Sequence, residues 1–379
     1  MARKLDRSIS LFSAVNIGIG TMIGSAIFVL VGTSIDFAGP SSFISVGLAG
    51  LAAIFTAFSF AELVTVIPTA GGGYAYVREA SKNGVIGFIS GWAFWLGYAM
   101  SCGLFAIGFG TFVIYLLSFV GITFPPIIAS YILILVFVIL NIKGSKNSTK
   151  LQNWITGILI TILLAYILVG IFHVNTENLK PLAPFGFKGT FKALSLLYIT
   201  YIGYGLITTM SEEVQNPEVN IPKSIFISTI IVTIIKILVF FIAAGIMSWE
   251  LLTSASTSTP MIDTAISIAG PIGGIIFAFA GLLATTSSIN TSILASSRTS
   301  YALSKDRRFP NAFSTINRIT KTPVISILMT GIIAVISTSL QNIEKISTIT
   351  ALFSLIGYSF VNIAVIMIRK QKQKKLQSV

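Results

Sequence analysis

The chain has 379 residues, of which 54% are apolar and only 10% are charged, and its mean hydropathy is +0.90. Soluble domains carry about 25% charged residues, so this composition excludes a cytosolic enzyme, a disordered chain and a disulfide scaffold. One cysteine (Cys102) and one histidine (His173) leave no disulfide, no paired-histidine haem site and no histidine-rich metal site, so no resident cofactor is expected.

Hydrophobic segments follow one another along the whole chain, each close to the roughly 20 residues that a helix needs to cross the hydrocarbon. Their apolar runs are continuous rather than alternating, which favours helices over a β-barrel. The sequence therefore predicts an all-α integral membrane protein with about ten transmembrane helices in a single domain over 1–379. The ten predicted spans are 11–35, 42–67, 85–118, 126–142, 151–172, 190–211, 224–247, 270–297, 323–340 and 347–368.

Positive charge is divided unequally between the two sets of connecting loops. If the N-terminus is cytoplasmic, 20 of the 25 Lys and Arg residues lie in inner segments, four lie in outer segments, and Lys236 lies mid-span. Cytoplasmic loops are rich in Lys and Arg, so a multi-pass protein of the cell membrane with both termini cytoplasmic is expected. This split accounts for the net charge of +13 without a nucleic-acid partner. The partner of the basic tail 369–379 would be the anionic bilayer surface, and the oligomeric state stays open.

Two glycine-rich interruptions lie about half a chain apart. Glycines 18, 20 and 24 weaken the first span in mid-membrane, and Tyr201–Gly205 interrupts the sixth. Each interruption lies in the first helix of a five-helix group, which is typical of transporters built from an inverted repeat. The repeats are expected over about 8–175 and 186–370. The alternative is that these glycines only permit close packing of neighbouring helices.

A helix that breaks inside the membrane can bind a small molecule with its own backbone. Free N–H groups at the start of one half-helix attract an anion such as a carboxylate, and free carbonyls at the end of the other accept from an ammonium. Such a site can therefore hold a zwitterion without any charged side chain.

Eight short motifs occur in order from one end of the chain to the other. They are Met22–Phe28, Phe60–Leu63, Pro68–Val77, Gly91-Trp92, Glu212–Pro217, Ile221-Pro222, Arg298–Asp306 and Phe309-Pro310. Together they resemble motifs of the amino acid–polyamine–organocation transporters, which have the leucine-transporter fold. The resemblance implies a five-plus-five inverted repeat with discontinuous helices 1 and 6. It also implies a secondary transporter that moves amino acids or related amines by alternating access.

The resemblance further implies which positions meet the substrate. Backbone amides in the first break would bind its carboxylate, carbonyls at both breaks its amino group, and two tyrosines would line or gate the pocket. Gly205 stands where many members carry an acidic residue, which disfavours a cationic substrate and disfavours proton coupling through that acid. The substrate-binding residues implied are Ile23, Gly24, Ser25, Ala26, Ile27, Ile199, Tyr201, Ile202, Gly203 and Tyr204.

The coupling ion is a choice between sodium, a proton and exchange without either. In sodium-coupled relatives, eighth-helix hydroxyls join first-helix carbonyls, and the matching oxygens here belong to Thr286, Ser287, Gly20 and Ile23. The alternative is that these hydroxyls bond back to their own helix. A fifth-helix lysine found in some sodium-independent members is absent from 154–172.

Lys236 is an ionisable residue in the middle of the seventh span, which by itself indicates a functional site. It could carry a proton or replace a bound cation. Alternatively, it pairs with a helix-end carbonyl or extends towards the membrane surface. Glu62, Glu212 and Glu213 are expected to pair with basic inner loops or to form an inner gate with them.

Two other classes of protein are alternatives to a transporter. The chain contains none of the protease, hydrolase or phosphate-binding motifs that would indicate an enzyme, so none is expected. A non-transporting amino-acid sensor or a channel-like paralogue is the stronger alternative. Family members usually have twelve helices, whereas ten are predicted here, and a truncated permease would have the same appearance.

Overall fold

The computed structural model describes residues 9–24, 26–67, 69, 71–81, 84–143, 148–201, 203–209, 211, 214–253 and 259–377. Within these ranges the chain consists of helices joined by short turns. The helices are α1 (Leu11–Ile23), α2 (Ala26–Ala38), α3 (Ser42–Val66), α4 (Gly72–Ser81), α5 (Gly84–Ser118), α6 (Pro126–Lys143), α7 (Ser148–Gly170), α8 (Gly186–Tyr198), α9 (Gly203–Thr209), α10 (Pro217–Ile246), α11 (Trp249–Thr253), α12 (Pro260–Lys305), α13 (Val324–Ser339) and α14 (Ile343–Gln377).

Eight helical stretches in the described part of the chain are long and apolar enough to cross a bilayer, and two shorter apolar helices, α1 and α13, accompany them. Together they cover all ten predicted spans, so the prediction of a multi-pass all-α membrane protein is confirmed. Helices α10, α12 and α14 extend beyond the predicted spans at one or both ends. Hydropathy detects only the part of a helix that meets hydrocarbon, whereas these ends carry polar and basic residues.

Local sequence signals set several helix ends. The Ser10 hydroxyl accepts a hydrogen bond from the Ser13 N–H at 3.3 Å and so caps α1. Proline stands in the first turn of α6, α10 and α12, where its missing N–H would have no partner in any case. Within α12 the backbone leaves helical geometry at Ala269 and Gly270, directly before Pro271. A short entry helix therefore precedes the long spanning part of α12.

The sixth span lies at the centre of the bundle. Of its most apolar window 76% is buried, against 28–50% for the other seven long stretches. Helices α3 and α10 pack extensively on each other, as do α5 and α12, and α1 contacts α7, α9, α10 and α12. The two interrupted helices are thus surrounded by the other spans.

Both ends of the described chain lie on the same face of the bundle. Ile9 forms a β-bridge with Val214, and Gln371 Nε2 donates to the Ala80 carbonyl at 2.8 Å. Arg369, near the end of α14, forms a two-bond ion pair with Glu62, near the end of α3. We call this side the terminal face and the other side the opposite face.

Candidate functional site

The first span is interrupted where the sequence predicted. Helix α1 ends at Ile23 and α2 begins at Ala26, and the Gly24 N–H closes α1 by donating to the Gly20 carbonyl at 3.1 Å. A Cβ atom on Gly24 would overlap the Ser288 hydroxyl of α12. The break can approach α12 this closely only because residue 24 has no side chain.

The second interruption lies directly against the first. Helix α8 ends at Tyr198, a 3₁₀ turn covers Ile199–Tyr201, and α9 begins at Gly203. A Cβ atom on Gly203 would stand 2.7 Å from Met22 Cγ and 3.0 Å from Thr21 Cβ. Two breaks about 180 residues apart in the sequence therefore meet in the middle of the bundle.

A small cavity of about 30 Å³ lies between the two breaks, α5 and α12. Seven of its eleven lining residues carry a hydroxyl, and none of the eleven is charged. Its volume is about that of one water molecule in the liquid, so an amino acid can enter only if the breaks move away from α5 and α12. The lining residues are Thr21, Tyr98, Ser101, Phe105, Ile199, Thr200, Gly203, Leu206, Ser288, Thr291 and Ser292.

Several of the predicted substrate-binding residues surround this cavity. Ile199 and Gly203 line it, and Gly24 contacts Ser288, which also lines it. Ile23 and Ile27 are fully buried on either side of the first break. Ser25 and Ile202 lie outside the described residues, and only the backbone of Ala26 is described.

The two predicted pocket tyrosines are buried but are not among the lining residues. The Tyr201 hydroxyl donates to the Val46 carbonyl of α3 at 3.0 Å. The Tyr204 hydroxyl lies 3.1 Å from that of Tyr198, which in turn is 2.9 Å from the Thr56 hydroxyl. Both tyrosines join the sixth span to its neighbours rather than facing the cavity.

Sequence reasoning missed most of the hydroxyls that line the cavity. Ser101, for example, donates to the Tyr98 carbonyl at 2.7 Å and lies 3.2 Å from the Ser292 hydroxyl. Hydroxyls are common in these spans, and most bond back to their own helix. Nothing in the linear pattern marks those that face the cavity, whereas the breaks were marked by glycine.

The predicted cation position contains a glutamine side chain. The Ser287 hydroxyl donates to Gln152 Oε1 at 2.8 Å, and Gln152 Nε2 stands 2.5 Å from where a Cβ atom on Gly20 would lie. Gln152 Nε2 is buried and has no hydrogen-bond partner among the described residues. Thr286 is half-buried. The oxygens are of the kind that sodium prefers, but the Ser287 hydroxyl and the Gly20 carbonyl are already engaged by protein donors and acceptors.

Lys236 is fully buried and points at the end of the sixth helix. Its Nζ donates to the Thr200 carbonyl at 2.8 Å and to the Thr200 hydroxyl at 2.6 Å. The same atom lies 3.8 Å from the centre of the Tyr201 ring. Free carbonyls at the end of a helix carry partial negative charge, so an ammonium is well placed there. Because Thr200 also lines the cavity, the hydrogen bonds from Lys236 hold one of the lining residues in position.

An aromatic layer separates the cavity from the terminal face. Phe60, Tyr204 and Tyr358 pack together with ring centres 5.3–5.6 Å apart. All three side chains are fully buried, and they belong to α3, α9 and α14. We call these three residues the terminal aromatic layer.

A second aromatic layer separates the cavity from the opposite face. Phe28, just beyond the first break, lies with its ring centre 6.2 Å from that of Phe112 and 5.9 Å from that of Phe277. We call these three residues the opposite aromatic layer.

Ion pairs fasten the terminal face. Arg78 of α4 pairs with Asp306, which follows α12, at 2.6 Å, and the Tyr74 hydroxyl donates to the same carboxylate oxygen at 2.7 Å. Burial and this hydrogen bond raise the pKa of Tyr74, so Tyr74 stays a donor at neutral pH. The hydrogen bond to Asp306 also raises the pKa of Arg78. Glu62 pairs with Arg369 of α14 rather than with a basic inner loop, while Glu212 and Glu213 lie outside the described residues.

The sequence is similar to those of known transporters along almost its whole length. Residues 9–378 match the family model described as amino acid permease. The chain is 29% identical to the methylthioribose transporter of Bacillus subtilis (strain 168) over 98% of this chain and 83% of that protein. It is 26% identical to the branched-chain amino acid permease BcaP of the same organism, over 98% and 82%. It is 28% identical to the vacuolar cationic amino acid transporter 4 of Arabidopsis thaliana, over 97% and 64%.

The fold is similar to that of a solved structure. MhsT in complex with L-phenylalanine superimposes with a TM-score of 0.68, covering 95% of this chain and 89% of that one. Only 14% of the aligned residues are identical, so this likeness concerns the fold alone.

Proposed function

The chain belongs to the amino acid permease family and is a secondary transporter of amino acids, and we propose that it binds one amino acid with an uncharged side chain between its two helix breaks. The observation that carries this proposal is the contact of Gly203 with Thr21 and Met22 beside a cavity whose lining contains no charged residue. Backbone groups then have to supply the charge complementarity.

The two ends of the substrate would bind at different breaks. The amides of Gly24, Ser25, Ala26 and Ile27 would bind the carboxylate, because α2 begins at Ala26 and the helix dipole favours an anion at that end. The carbonyls of Ile23, Ile199 and Ile202 would accept from the ammonium. Hydroxyls of the lining, such as Thr21 and Ser288, add neutral hydrogen bonds. These backbone groups would together be sufficient to bind a zwitterion.

The character of the lining favours an uncharged substrate side chain. Moving a charged group into a site without a counter-charge costs much more than moving an apolar one. Apolar surface is available from Phe105, Ile199 and Leu206. The names of the relatives mention branched-chain amino acids, cationic amino acids and methylthioribose, so they do not choose among substrate classes.

Alternating access would open the two aromatic layers in turn. Helices α1–α3 and α8–α10 would rock against α5, α6, α12 and α13, with the substrate held at the breaks. Phe28, Phe60 and Tyr204 lie on the first group, whereas Phe112 and Phe277 lie on the second and Tyr358 lies on α14, which packs mainly on α5 of the second group. Relative rotation therefore separates the rings of one layer while the other stays packed.

We propose that transport does not require sodium and proceeds by exchange or with protons. Gln152 holds the Ser287 hydroxyl, and its amide nitrogen lies against Gly20. A sodium ion here would have to share these oxygens with the Gln152 side chain, whose amide nitrogen would lie beside the cation. Lys236 stays the candidate coupling residue, because it is the ionisable group beside the second break.

The experiment is uptake of labelled amino acids into proteoliposomes that contain the purified protein, with and without unlabelled amino acid inside. We expect saturable uptake of alanine, valine, leucine or phenylalanine, faster with internal substrate and equal in sodium and choline buffers. Uptake of lysine and arginine alone would contradict the proposal that the substrate has an uncharged side chain. Sodium-dependent uptake would restore the predicted sodium site. Binding of amino acids in a thermal-shift assay without uptake or counterflow would favour the alternative, a non-transporting amino-acid sensor.

A matched pair of variants tests the site itself. Gly24→Leu places a side chain where the Ser288 hydroxyl stands and should abolish binding of the carboxylate. Gly157→Leu makes the same change in α7 at a position with nothing within 4 Å, and its uptake should equal that of the wild type. Normal affinity in Gly24→Leu would overturn the assignment of the first break.

A further inference from the structure

A second and larger cavity lies at the terminal face, away from the breaks. Its volume is about 260 Å³, and it opens between α4, the start of α5 and the loop that follows α12. Its charged and polar lining residues are Tyr74, Arg78, Asp306 and Arg308. It shares no lining residue with the central cavity, and the transport cycle described above does not use it.

The loop after α12 holds Arg308 in a fixed position. Arg307 has a positive φ of 58°, and its N–H donates to the Ser304 carbonyl at 2.9 Å. The Arg308 N–H donates to the Leu303 carbonyl at 2.9 Å. The two nested hydrogen bonds form a Schellman motif, which ends α12. The Ser304 hydroxyl donates to the Pro310 carbonyl at 2.7 Å and fastens the far end of the loop.

The Arg308 guanidinium fills a space that exists because residue 84 is glycine. A Cβ atom on Gly84 would overlap Nη1, Nη2 and Cζ of Arg308. The side chain thus lies across the first turn of α5 and forms one wall of the cavity. Any larger residue at position 84 would push the guanidinium out while leaving its charge unchanged.

The charges that line the cavity leave one guanidinium without a carboxylate. Asp306 is engaged by Arg78 at 2.6 Å and by the Tyr74 hydroxyl at 2.7 Å, both on the same oxygen. No described carboxylate forms an ion pair with Arg308. With two arginines and one aspartate, the lining carries a net charge of +1. Arg308 is exposed at the edge of the cavity, and a guanidinium can bind phosphate there through paired hydrogen bonds.

An apolar stripe continues from the cavity along α5. Phe88 lines the cavity, and Val85, Ile89 and Trp92 expose 62%, 43% and 38% of their surface. Residues 85, 89 and 92 lie on one side of the helix, at spacings of four and three. A cationic cavity that borders exposed apolar side chains at the end of a membrane span is suited to a lipid rather than to a soluble anion.

We propose that this cavity binds the headgroup phosphate of an anionic phospholipid from the leaflet on the terminal face. The phosphate lies against the Arg308 guanidinium, with Arg78 beside it, and an acyl chain runs along Val85, Ile89 and Trp92. The bound lipid bridges α4, α5 and the loop after α12.

The test measures lipid binding to the whole purified protein by native mass spectrometry and by thermal shift. The probes are phosphatidylglycerol, phosphatidylcholine and inorganic phosphate, each added to protein in neutral detergent. We expect one phosphatidylglycerol bound at least tenfold more tightly than phosphatidylcholine, with a rise in Tm of a few degrees. A rise as large with inorganic phosphate alone would assign the cavity to a soluble anion and overturn the proposal.

Three variants separate this cavity from general surface charge. Arg308→Gln removes the guanidinium, and Gly84→Ala displaces it without changing the charge, so each should weaken phosphatidylglycerol binding at least threefold. Arg318→Gln removes an exposed arginine elsewhere in the same connecting segment and should bind like the wild type. Wild-type binding by Arg308→Gln or by Gly84→Ala overturns the proposal, as does an equal loss in Arg318→Gln. Amino-acid uptake by each variant confirms that it is folded.

Discussion

At the scale of single residues, the two breaks depend on positions where any side chain would collide. Gly24 lies against Ser288 of α12, and Gly203 lies against Thr21 and Met22 of α1. Both contacts join parts of the chain that are far apart in sequence. The glycines therefore do two things, since they weaken the helix locally and allow the broken ends to pack in the centre of the bundle.

Gly203→Ala tests this contact with a single methyl group. The new Cβ atom would stand 2.7 Å from Met22 Cγ and 3.1 Å from the Met22 backbone nitrogen, so the two breaks must move apart. We expect amino-acid uptake in proteoliposomes to fall at least tenfold. Gly157→Ala, with nothing within 4 Å of the added methyl group, should leave uptake unchanged. Equal uptake by both variants would show that the contact between the breaks is dispensable.

Lys236→Met tests whether the buried ammonium positions the second break. The change removes both hydrogen bonds that Lys236 donates to Thr200, so the Thr200 carbonyl loses a donor in the cavity wall, while the hydroxyl keeps its bond to the Leu197 carbonyl. We expect a loss of at least tenfold in the maximal uptake rate, or loss of its dependence on pH. Lys188→Met removes an exposed lysine and serves as the control. Wild-type rates for Lys236→Met from pH 5 to pH 9 would exclude both a positioning and a coupling role.

At the scale of helices, each aromatic layer joins helices from different parts of the chain. The terminal layer brings together α3, α9 and α14, and the opposite layer joins α2, α5 and α12. Ring pairs 5.3–6.2 Å apart lie within the range of favourable aromatic packing. A layer held by side-chain packing alone can separate and re-form without breaking a covalent or ionic link.

Tyr358→Ala should open the terminal layer. Loss of a fully buried aromatic ring leaves a cavity and lowers the free energy of unfolding by about 3–5 kcal/mol. The variants are therefore compared after size-exclusion chromatography, using only the monodisperse protein. The measurement is the maleimide labelling rate of Leu206→Cys, a cavity-lining position, in a Cys102→Ser background. We expect labelling at least fivefold faster in Tyr358→Ala. Tyr131 is a half-buried tyrosine of α6, and Tyr131→Ala should not change the labelling rate. Equal labelling rates in all variants would contradict a gate at Tyr358.

At the scale of the whole molecule, the distribution of positive charge predicts which face is cytoplasmic. Among the described residues, the terminal face carries most of the Lys and Arg side chains, including Arg78, Arg308 and Arg369. The opposite face contains few, such as Lys180 and Lys192. The positive-inside rule then predicts that the terminal face is cytoplasmic.

Labelling of intact cells with a membrane-impermeant maleimide tests this orientation. In a Cys102→Ser background, Lys180→Cys should react in intact cells because Lys180 is exposed on the opposite face. Arg318→Cys, exposed on the terminal face, should react only after permeabilisation. The reverse pattern would invert the topology and the leaflet of the lipid proposed above.

Much of the fold could be predicted because it depends on properties of short segments. Ten apolar runs predicted the spans, and glycine at positions 24 and 203 predicted where two of them break. The cavity lining could not be predicted in the same way. Thr200 and Ser292 have the same local context as hydroxyls that bond only to their own helix, and only the packing of α5 and α12 around the breaks selects them.

The sequence by itself determined the class of the molecule, its membrane spans, its interruptions and the asymmetry of its charge. These follow from transfer free energies and helix propensities, which act residue by residue. Only the tertiary structure decided that the two breaks meet, that Gln152 fills the predicted cation position, that Lys236 holds Thr200, and that Arg308 lies against Gly84. Such pairings depend on distances between segments that are remote in the chain, and hydrophobic patterning, being non-directional, does not specify them.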